Sequence, residues 1–397
     1  MSGALDDVKI LDLSQVQAGP SCTQLLAWLG ADVIKIEEPG VGDRTRRERS
    51  VSPDVDSFYF LVFNANKRSL CLDLKSDTGR EIFLRLVGRA DIVVENFRPG
   101  QMERFNLGYK VLTEANPKIV YASIKGFGAD GPNAYIRSFE HIAQAMGGAM
   151  SANGEAGGDP QFVAPGVGDS GSGLHAAIGM LAALRQRDRT GEGQRVEVSM
   201  QDAVVNLMRI RTIDTLNTDR PVDRRGNRPW GGPSMLYPCR GGGPNDFVVL
   251  MLAGDSWDTL LALADRADLI GDPRYATEEA RAERPREVEE IITAWTRTRT
   301  KHEAMRALAE VGVPAGAVQD THEVLEDPHL VEREMIVDID DPARGEYKII
   351  GCPIKIDSNQ VEIEPPPLLG QHSEEVLSTM LGMPEDELAE LRAANVI

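Results

Sequence analysis

A single carboxylate, Asp169, stands between glycines at the head of a long stretch of small and apolar residues, GVGDSGSGLHAAIGMLAAL, at positions 166–184. Two roles fit this position. An aspartate ahead of a helix can cap free backbone N–H groups and favours the positive end of the helix dipole. A carboxylate can also act as a nucleophile and form a covalent intermediate. Capping is the more common role for an aspartate at this position, so a nucleophilic role for Asp169 needs support from other parts of the chain.

Several common kinds of catalytic site lack their motifs. The loop SQVQAGPSCTQ has one glycine where a dinucleotide site needs G-x-G-x-x-G, and the chain has no G-x-x-x-x-G-K-[ST] phosphate loop. GDSGSG does not fit the G-x-S-x-G of a serine hydrolase. The four cysteines and six histidines are scattered without metal-ligand spacing. We therefore expect reduced thiols and no metal site.

The charge balance limits the partners. The 397 residues carry a net charge of −19, which argues against nucleic acid or an anionic membrane surface, so an anionic small ligand would need a local basic pocket. The start, MSGALDDVKI, does not resemble a signal peptide, and no apolar run approaches the ~20 residues of a membrane span. We expect a cytoplasmic protein of two or three domains.

The first 130 residues alternate strand and helix patterns, which favours a mainly parallel sheet covered by helices. Strands are predicted at 8–14, 31–37, 67–74, 91–97 and 118–128, and helices at 19–30 and 76–90. Ligands of such sheets bind at the carboxyl ends of the strands. Here those ends carry the loops SQVQAGP, ENFRPG and IKGFGADGP.

The segment after Asp169 predicts a well-buried helix, because large apolar residues recur at helical spacing. They are Leu174, Ile178, Leu181 and Leu184. A strand at 195–200 and a helix at 201–217 follow. The polar segment 218–234, rich in Gly, Pro and Arg, is predicted to be a linker to a second, smaller domain.

Several stretches resemble the class III CoA-transferases of the CaiB/BaiF type, in the same order along nearly the whole chain. They are VKILDLSQVQAGPSCTQLLAWLGADVIKIEEPGVGDRTR, NKRSLCLDLKSDTGR, ADIVVENFRPG, ASIKGFGADGP, GDSGSGLHAAIGMLAALRQRDRTGEGQRVEVSMQDAV and PLLGQH. The nearest resemblance is to the formyl-CoA:oxalate branch of the family, through VQAGPSCTQ, DSFYFLVFNANKRS and SMQDAVVNLMRI.

The resemblance implies that Asp169 is the nucleophile. It would attack the thioester of an acyl-CoA, form a mixed anhydride and then an aspartyl-CoA thioester, and pass CoA to an acceptor such as oxalate. Gln17 matches the position that hydrogen-bonds the reacting carbonyl. An ordinary pKa near ~3.9 would keep Asp169 ionised at neutral pH.

The resemblance also implies which residues bind coenzyme A, which is a substrate here, since no permanently bound cofactor is expected. They are Gln17, Ala18, Leu72, Lys75, Asn96, Phe97, Arg98, Arg104, Lys125 and Arg137. The basic members of this set suit the pyrophosphate and 3′-phosphate of CoA.

For the acyl and acceptor pocket, the resemblance points to Glu48, Phe139, Glu140, Gly231 and Gly232. Here the chain departs from its oxalate-using relatives. Glu38 replaces an arginine, Glu48 a tryptophan and Phe139 a tyrosine, and the glycine loop, WGGPS, is shorter. The reaction class survives these changes, whereas formyl-CoA and oxalate as the actual pair do not follow from it.

Two alternatives stay open: an α-methylacyl-CoA racemase or epimerase, and a CoA-ester-binding protein without catalysis. Racemases of this superfamily carry a His–Asp pair where this chain has Phe139 and Glu140. By resemblance the fold is α/β. A large Rossmann-like domain with a parallel sheet would be formed by both chain ends, 1–217 and 326–397, around a small central α+β domain, 235–325. The family also implies an interlocked homodimer.

Overall fold

The computed structural model describes residues 3–52, 55–228, 232–252, 256–359 and 361–397. Its strands are β1 Lys9–Asp12, β2 Asp32–Glu37, β3 Lys67–Cys71, β4 Ile92–Glu95, β5 Val120–Lys125, β6 Arg195–Ser199, β7 Leu236–Pro238, β8 Phe247–Leu250, β9 Ala315–Ala317, β10 Ile336–Asp341 and β11 Gly345–Ile350.

The α-helices follow the same chain order. They are α1 Ala18–Trp28, α2 Phe58–Asn64, α3 Asp77–Val87, α4 Gln101–Arg104, α5 Tyr109–Ala115, α6 Glu140–Met146, α7 Ala149–Ala152, α8 Asp169–Thr190, α9 Met200–Leu207, α10 Arg209–Thr218, α11 Ser256–Leu263, α12 Glu278–Ala282, α13 Pro285–Thr296, α14 Lys301–Glu310, α15 Thr321–Glu326, α16 Pro328–Glu332, α17 Ser373–Leu381 and α18 Glu385–Ala393. No helix in the described part of the chain is long and apolar enough to cross a membrane.

The chain forms two compact units. The larger comprises Met1–Met150, Phe162–Arg220 and Val331–Ile397, and the smaller comprises Ser151–Gln161 and Pro221–Leu330. The segment Ser151–Gln161, which the sequence placed in the large domain, groups with the smaller unit. Within that unit the Arg224 guanidinium donates to the Gly158 carbonyl at 2.7 Å.

A six-stranded parallel sheet in the order β3-β2-β1-β4-β5-β6 forms the centre of the larger unit, which confirms the predicted parallel sheet. The central strands are apolar because both faces are covered. Helices α3, α5, α17 and α18 pack on one face, and α1, α8 and α9 pack on the other.

The strand order reverses between β1 and β4, which lie side by side with Asp12 level with Val94. At such a switch point the loops that leave two neighbouring strands run in opposite directions and open a crevice. The loops SQVQAGP and ENFRPG leave the sheet at this point, and IKGFGADGP leaves the next strand, β5.

Helix α8 packs against α1 through its small residues. A Cβ added to Gly173 would lie 2.5 Å from Ser21 Oγ and 2.7 Å from the Ala18 carbonyl oxygen, so the two helices touch where a side chain is absent. The prediction that the large apolar residues of α8 are buried is therefore wrong for three of the four. The helices can approach closely only through the face of α8 that carries glycine and alanine, so the face that carries the large side chains remains exposed. These residues are Leu174, Ile178 and Leu181, with exposed fractions of 50%, 67% and 36%.

The remaining sheets are small and antiparallel. In the larger unit, β10 and β11 form an antiparallel hairpin after α16. In the smaller unit, β7, β8 and β9 form a three-stranded sheet whose apolar core includes Trp257 and Trp295.

Candidate active site

Gln17 comes from the loop that follows β1, and Asn96 fixes this loop. Asn96 Oδ1 accepts the Gln15 backbone N–H at 2.8 Å, and its Nδ2 donates to the Gln15 carbonyl at 2.7 Å. The Gln17 amide then donates through Nε2 to Ser170 Oγ at 3.0 Å, which brings it to the first turn of α8. The pairing of adjacent strands β1 and β4 is what lets one loop clamp the other.

Val16 precedes Gln17 in a conformation that is rare for a β-branched residue, with φ of +70°. Its backbone N–H lies 3.2 Å from an oxygen of the buried Asp43 carboxylate, which is in turn 3.0 Å from the buried Lys35 ammonium. Burial alone would raise the pKa of Asp43, but the Lys35 charge and the bonds from Thr45 hold it below its usual value. A charged, fixed carboxylate thus supports the strained backbone that positions Gln17.

Asp169 is the first residue of α8, and of the two roles considered for it, capping is wrong, because its side chain makes no cap hydrogen bond. The cap is supplied by Glu140, whose carboxylate accepts the Gly168 N–H at 2.9 Å and the Asp169 N–H at 2.6 Å. Gln144 Nε2 donates to the same carboxylate at 2.7 Å and holds it in place. Because Glu140 satisfies the free N–H groups, the Asp169 carboxylate is left to line the adjacent cavity.

The pKa of Asp169 is raised from 3.8 to about 7. Burial is the largest cause, the negative charge of Glu140 adds to it, and Arg44 acts in the opposite direction. The expectation of an ordinary pKa is therefore wrong, because the sequence does not show which charges lie near a carboxyl group. A carboxylate that is poorly stabilised but still ionised near neutral pH is suited to nucleophilic attack.

Two glycines let the backbone pass close to these groups. A Cβ on Gly166 would lie 2.4 Å from Gln17 Nε2. A Cβ on Gly168 would lie 2.9 Å from Ala143 Cβ and 3.1 Å from the Glu140 carbonyl oxygen. The glycines of GVGDSGSG are thus needed for the approach of the Gln17 loop, α6 and the start of α8.

A cavity of about 820 Å³ opens at the carboxyl ends of β1, β4 and β5. The predicted site residues that line it are Gln17, Ala18, Asn96, Phe97, Arg98, Arg104, Lys125, Arg137, Phe139 and Asp169. Among its lining residues in the described part of the chain, Asp169 alone is acidic, whereas the cations are Arg44, Arg98, Arg104, Lys125 and Arg137. A chain with a net charge of −19 therefore has a basic pocket suited to an anion.

The cations of the cavity differ in how far they are already paired. Lys125 Nζ donates to both oxygens of the buried Glu95 carboxylate at 2.7 Å, so the Lys125 charge is already neutralised by an ion pair. Arg104 donates to the Gln101 side-chain oxygen at 2.7 Å. The exposed guanidinium groups of Arg98 and Arg137 have no hydrogen-bond or ion-pair partner among the described residues. They are the cations best placed to bind phosphate groups.

Other predicted site residues lie elsewhere. Leu72 is buried in the core beneath α3, and the exposed Lys75 pairs with Glu38. Glu48 is exposed outside the cavity lining and pairs with Arg44. Gly232 belongs to the smaller unit, and Gly231 falls outside the described residues.

The sequence reasoning missed Arg44, whose guanidinium carbon lies 5.2 Å from the centre of the Phe139 ring. It also missed Tyr59, whose pKa is raised by burial and then by the Asp169 charge. Arg44 lies within GDRTR, a stretch already singled out, so an unassigned cation there was a usable signal. The contact between Arg44 and Phe139, which are far apart in the chain, could not be predicted from the sequence.

Comparisons with known proteins show which family this chain resembles. Residues 5–373 match CoA-transferase family III. A formyl-CoA:oxalate CoA-transferase from Streptomyces coelicolor is 43% identical over 99% of both chains, and one from Escherichia coli O157:H7 is 39% identical over the whole of both. Among solved structures, a CaiB/BaiF family protein from Brucella suis matches with a TM-score of 0.85 and 29% identity, over 96% of this chain and 100% of that one. A hypothetical protein from Mycobacterium tuberculosis matches with a TM-score of 0.79 and 29% identity, over 94% and 99%.

Proposed function

This chain belongs to CoA-transferase family III, and we propose that it moves coenzyme A from an acyl-CoA, formyl-CoA or a similar ester, to a small carboxylic acid such as oxalate. One observation carries the proposal. A single carboxylate with a raised pKa, Asp169, lines a cavity whose other charged lining residues, within the described chain, are cations. CoA supplies the phosphates that such cations bind, and its thioester is a target for a carboxylate.

The proposed reaction begins when the Asp169 carboxylate attacks the thioester carbonyl. The C–S bond breaks, a mixed anhydride forms and the CoA thiolate leaves. The thiolate then attacks the aspartyl carbonyl of the anhydride, which releases the donor acid as its carboxylate and leaves an aspartyl-CoA thioester. The acceptor carboxylate displaces the thiolate to form a second anhydride. Attack of the thiolate on the acceptor carbonyl gives the new CoA ester and restores Asp169.

Gln17 is proposed to stabilise the negative charge that develops on the reacting carbonyl oxygen. Its amide already lies at the first turn of α8, where it donates to Ser170 at 3.0 Å. Substrate would exchange this weak neutral bond for one to a developing oxyanion. The anchored loop and the strained Val16 fix the amide before substrate arrives, so little reorganisation is needed.

The CoA phosphates are proposed to bind Arg98 and Arg137, with Arg104 beside them. Leu72, Lys75, Gly232 and Glu48, which do not line the cavity, stay predictions from the resemblance. Lys75 would have to exchange its ion pair with Glu38 for a phosphate. Gly231 stays a prediction as well.

The racemase alternative gains no support from the geometry. That chemistry needs two acid/base groups facing one α-carbon. Phe139 cannot exchange a proton, and the Glu140 carboxylate already accepts the Gly168 and Asp169 N–H groups. We expect no deuterium exchange at the α-carbon of a methylacyl-CoA incubated with the protein.

We also propose that the protein is an interlocked homodimer. Large apolar side chains are exposed in the larger unit along α8, α9 and α10. They are Leu174, Ile178, Leu181, Val205, Leu207, Ile210, Ile213 and Leu216. A single chain leaves these eight side chains exposed, and so many exposed apolar side chains on three consecutive helices favour a protein contact.

The proposal is tested by incubating the protein with formyl-, acetyl-, succinyl- or oxalyl-CoA and isotope-labelled carboxylic acids. Mass spectrometry would detect new labelled CoA esters and an acyl or CoA adduct on Asp169, with Asp169→Ala as the control. A labelled ester that is lost in Asp169→Ala supports the transfer reaction and identifies both substrates. Full transfer activity in Asp169→Ala overturns the covalent mechanism. α-Proton exchange without transfer would favour the racemase instead.

A further inference from the structure

We infer that Arg44 binds the non-reacting carboxylate of the acceptor, so that the site selects dicarboxylic over monocarboxylic acids. This inference rests on the proposed transfer reaction. It assigns a specificity role to a residue that the resemblance did not point to.

Buried charged residues next to Arg44 in the chain fix its backbone. Arg44 begins a 3-10 turn, Arg44–Arg46, which is capped by the Asp43 side chain, since its carboxylate accepts the Thr45 backbone N–H at 2.9 Å. Arg46 is fully buried, and its guanidinium forms a two-bond pair with Glu37 at 2.7 and 2.9 Å. The turn is therefore rigid, while the Arg44 side chain itself points out to the cavity that Asp169 also lines.

The Arg44 guanidinium lies against the half-exposed Phe139 ring, with its carbon 5.2 Å from the ring centre. A guanidinium that packs on an aromatic face keeps its N–H edge free for a planar carboxylate. Phe139 has no hydroxyl of its own to bind the acceptor. The ring therefore orients the cation, and the cation supplies the hydrogen bonds.

The ion-pair partner of Arg44 among the described residues is Glu48, one helical turn further on, at 3.5 Å. Both side chains are about half exposed. Exposed pairs of this kind are weak, so an incoming carboxylate can replace Glu48 on Arg44. The Glu48 charge stabilises the unoccupied Arg44 cation only slightly, and it repels a carboxylate that does not reach Arg44.

The other cations of the cavity are less suited to this role. Lys125 is neutralised by Glu95, and Arg104 is bonded to Gln101. Arg44 is the cation among the described residues whose charge acts on the carboxyl group of Asp169, against burial and Glu140. Because Arg44 and Asp169 line the same cavity, an acceptor at Asp169 is proposed to place its second carboxylate at Arg44.

The test compares Arg44→Gln, Arg44→Lys and Glu48→Gln with the wild-type protein, using oxalate, malonate and succinate against formate and acetate as acceptors. In Arg44→Gln we expect the KM for the dicarboxylates to rise about 10- to 100-fold, with the KM values for monocarboxylates and acyl-CoA changed by less than about twofold. Arg44→Lys should fall between Arg44→Gln and wild type, since a lysine keeps the charge but loses the planar fork. Glu48→Gln should lower the dicarboxylate KM, because the competing carboxylate is gone.

Two results would overturn the inference. One is a rise in the KM for acyl-CoA in Arg44→Gln with an unchanged dicarboxylate KM, which would assign Arg44 to a CoA phosphate. The other is an equal loss with monocarboxylates and dicarboxylates. Titration calorimetry with malonate distinguishes a failure of the Arg44 inference from a failure of the proposed transfer reaction. Even if the wild type transfers no CoA, weaker malonate binding in Arg44→Gln supports the inference, and unchanged binding or no binding to either protein overturns it.

Discussion

The carboxylate of Glu140 accepts the backbone N–H of Asp169 at 2.6 Å, and its other oxygen accepts the N–H of Gly168 at 2.9 Å. One side chain thus completes the start of α8 and also places a negative charge beside the proposed nucleophile. The first effect holds the first residue of the helix in place. The second raises the pKa of the Asp169 carboxyl group, in addition to the larger effect of burial.

Replacing Glu140 with glutamine should shift the pH profile of transfer to lower pH. The wild-type rate should rise with pH through a midpoint of about 7, because the proposed nucleophile, Asp169, would react as the carboxylate. Glu140→Gln removes the neighbouring negative charge, so the pKa of Asp169 falls and the acidic limb of kcat/KM against pH moves down.

The control is Gln144→Leu, which removes the hydrogen bonds to Glu140 and to the Val163 backbone but no charge. It should leave the midpoint near that of the wild type. A midpoint that moves upward in Glu140→Gln, or moves equally in both variants, would contradict the electrostatic account. Glu140→Gln should also lower the free energy of unfolding by about 1–3 kcal/mol, since one of two backbone N–H groups loses its acceptor.

The stability of Asp169→Asn relative to wild type should be greater at alkaline pH than at acidic pH. The folded carboxyl group has a pKa of about 7 against 3.8 as its ordinary value. Between these pH values the folded state holds a proton that the unfolded chain has lost, so the wild-type free energy of unfolding falls as pH rises. Asparagine does not titrate and escapes this loss.

Urea unfolding at about pH 5 and about pH 8 measures the effect. We expect the stability of Asp169→Asn relative to wild type to increase by about 2–3 kcal/mol between these two conditions. The exposed Asp338, changed to asparagine, serves as the control and should give no such increase. A relative stability independent of pH would show that Asp169 titrates as it does in the unfolded chain.

Neutralising Arg98 or Arg137 should weaken the binding of the acyl-CoA and leave the KM for the acceptor acid unchanged. Each guanidinium lines the cavity without a partner in the described part of the chain, so its loss leaves no buried group unpaired. We expect Arg98→Gln and Arg137→Gln to raise the KM for acyl-CoA about tenfold, as expected for one charged hydrogen bond. Lys348→Gln on the β10–β11 hairpin is the control. An unchanged KM for acyl-CoA in both arginine variants would move the CoA site elsewhere.

A charge placed on the exposed face of α8 should prevent dimer formation. Ile178 is the most exposed of the apolar residues of this helix, so Ile178→Asp adds a charge to the proposed interface without entering the core. Sedimentation velocity should show a dimer for wild type and a monomer for Ile178→Asp. Val51→Asp, at an exposed site away from these helices, should remain dimeric. A monomeric wild type would overturn the proposed assembly.

Much of the fold and of the site could be predicted from the sequence. Continuous apolar strands separated by helical patterns indicate a covered parallel sheet, since only buried strands lack polar alternation. Because the carboxyl ends of parallel strands share one edge, the loops that carry Gln17 and Asn96 had to converge with the end of β5, which carries Lys125. The family resemblance indicated that Asp169, which lies among glycines, is the proposed nucleophile.

Only the tertiary structure decided which groups touch. The spacing of large residues on α8 indicated an apolar face but not which face packs on α1, because closest approach selects glycine and alanine instead. The partner that caps α8, the cation beside Phe139 and the raised pKa of Asp169 depend on distances between segments far apart in the chain. A sequence pattern reports residue type and spacing along one element, whereas electrostatic and hydrogen-bond energies depend on distance through space.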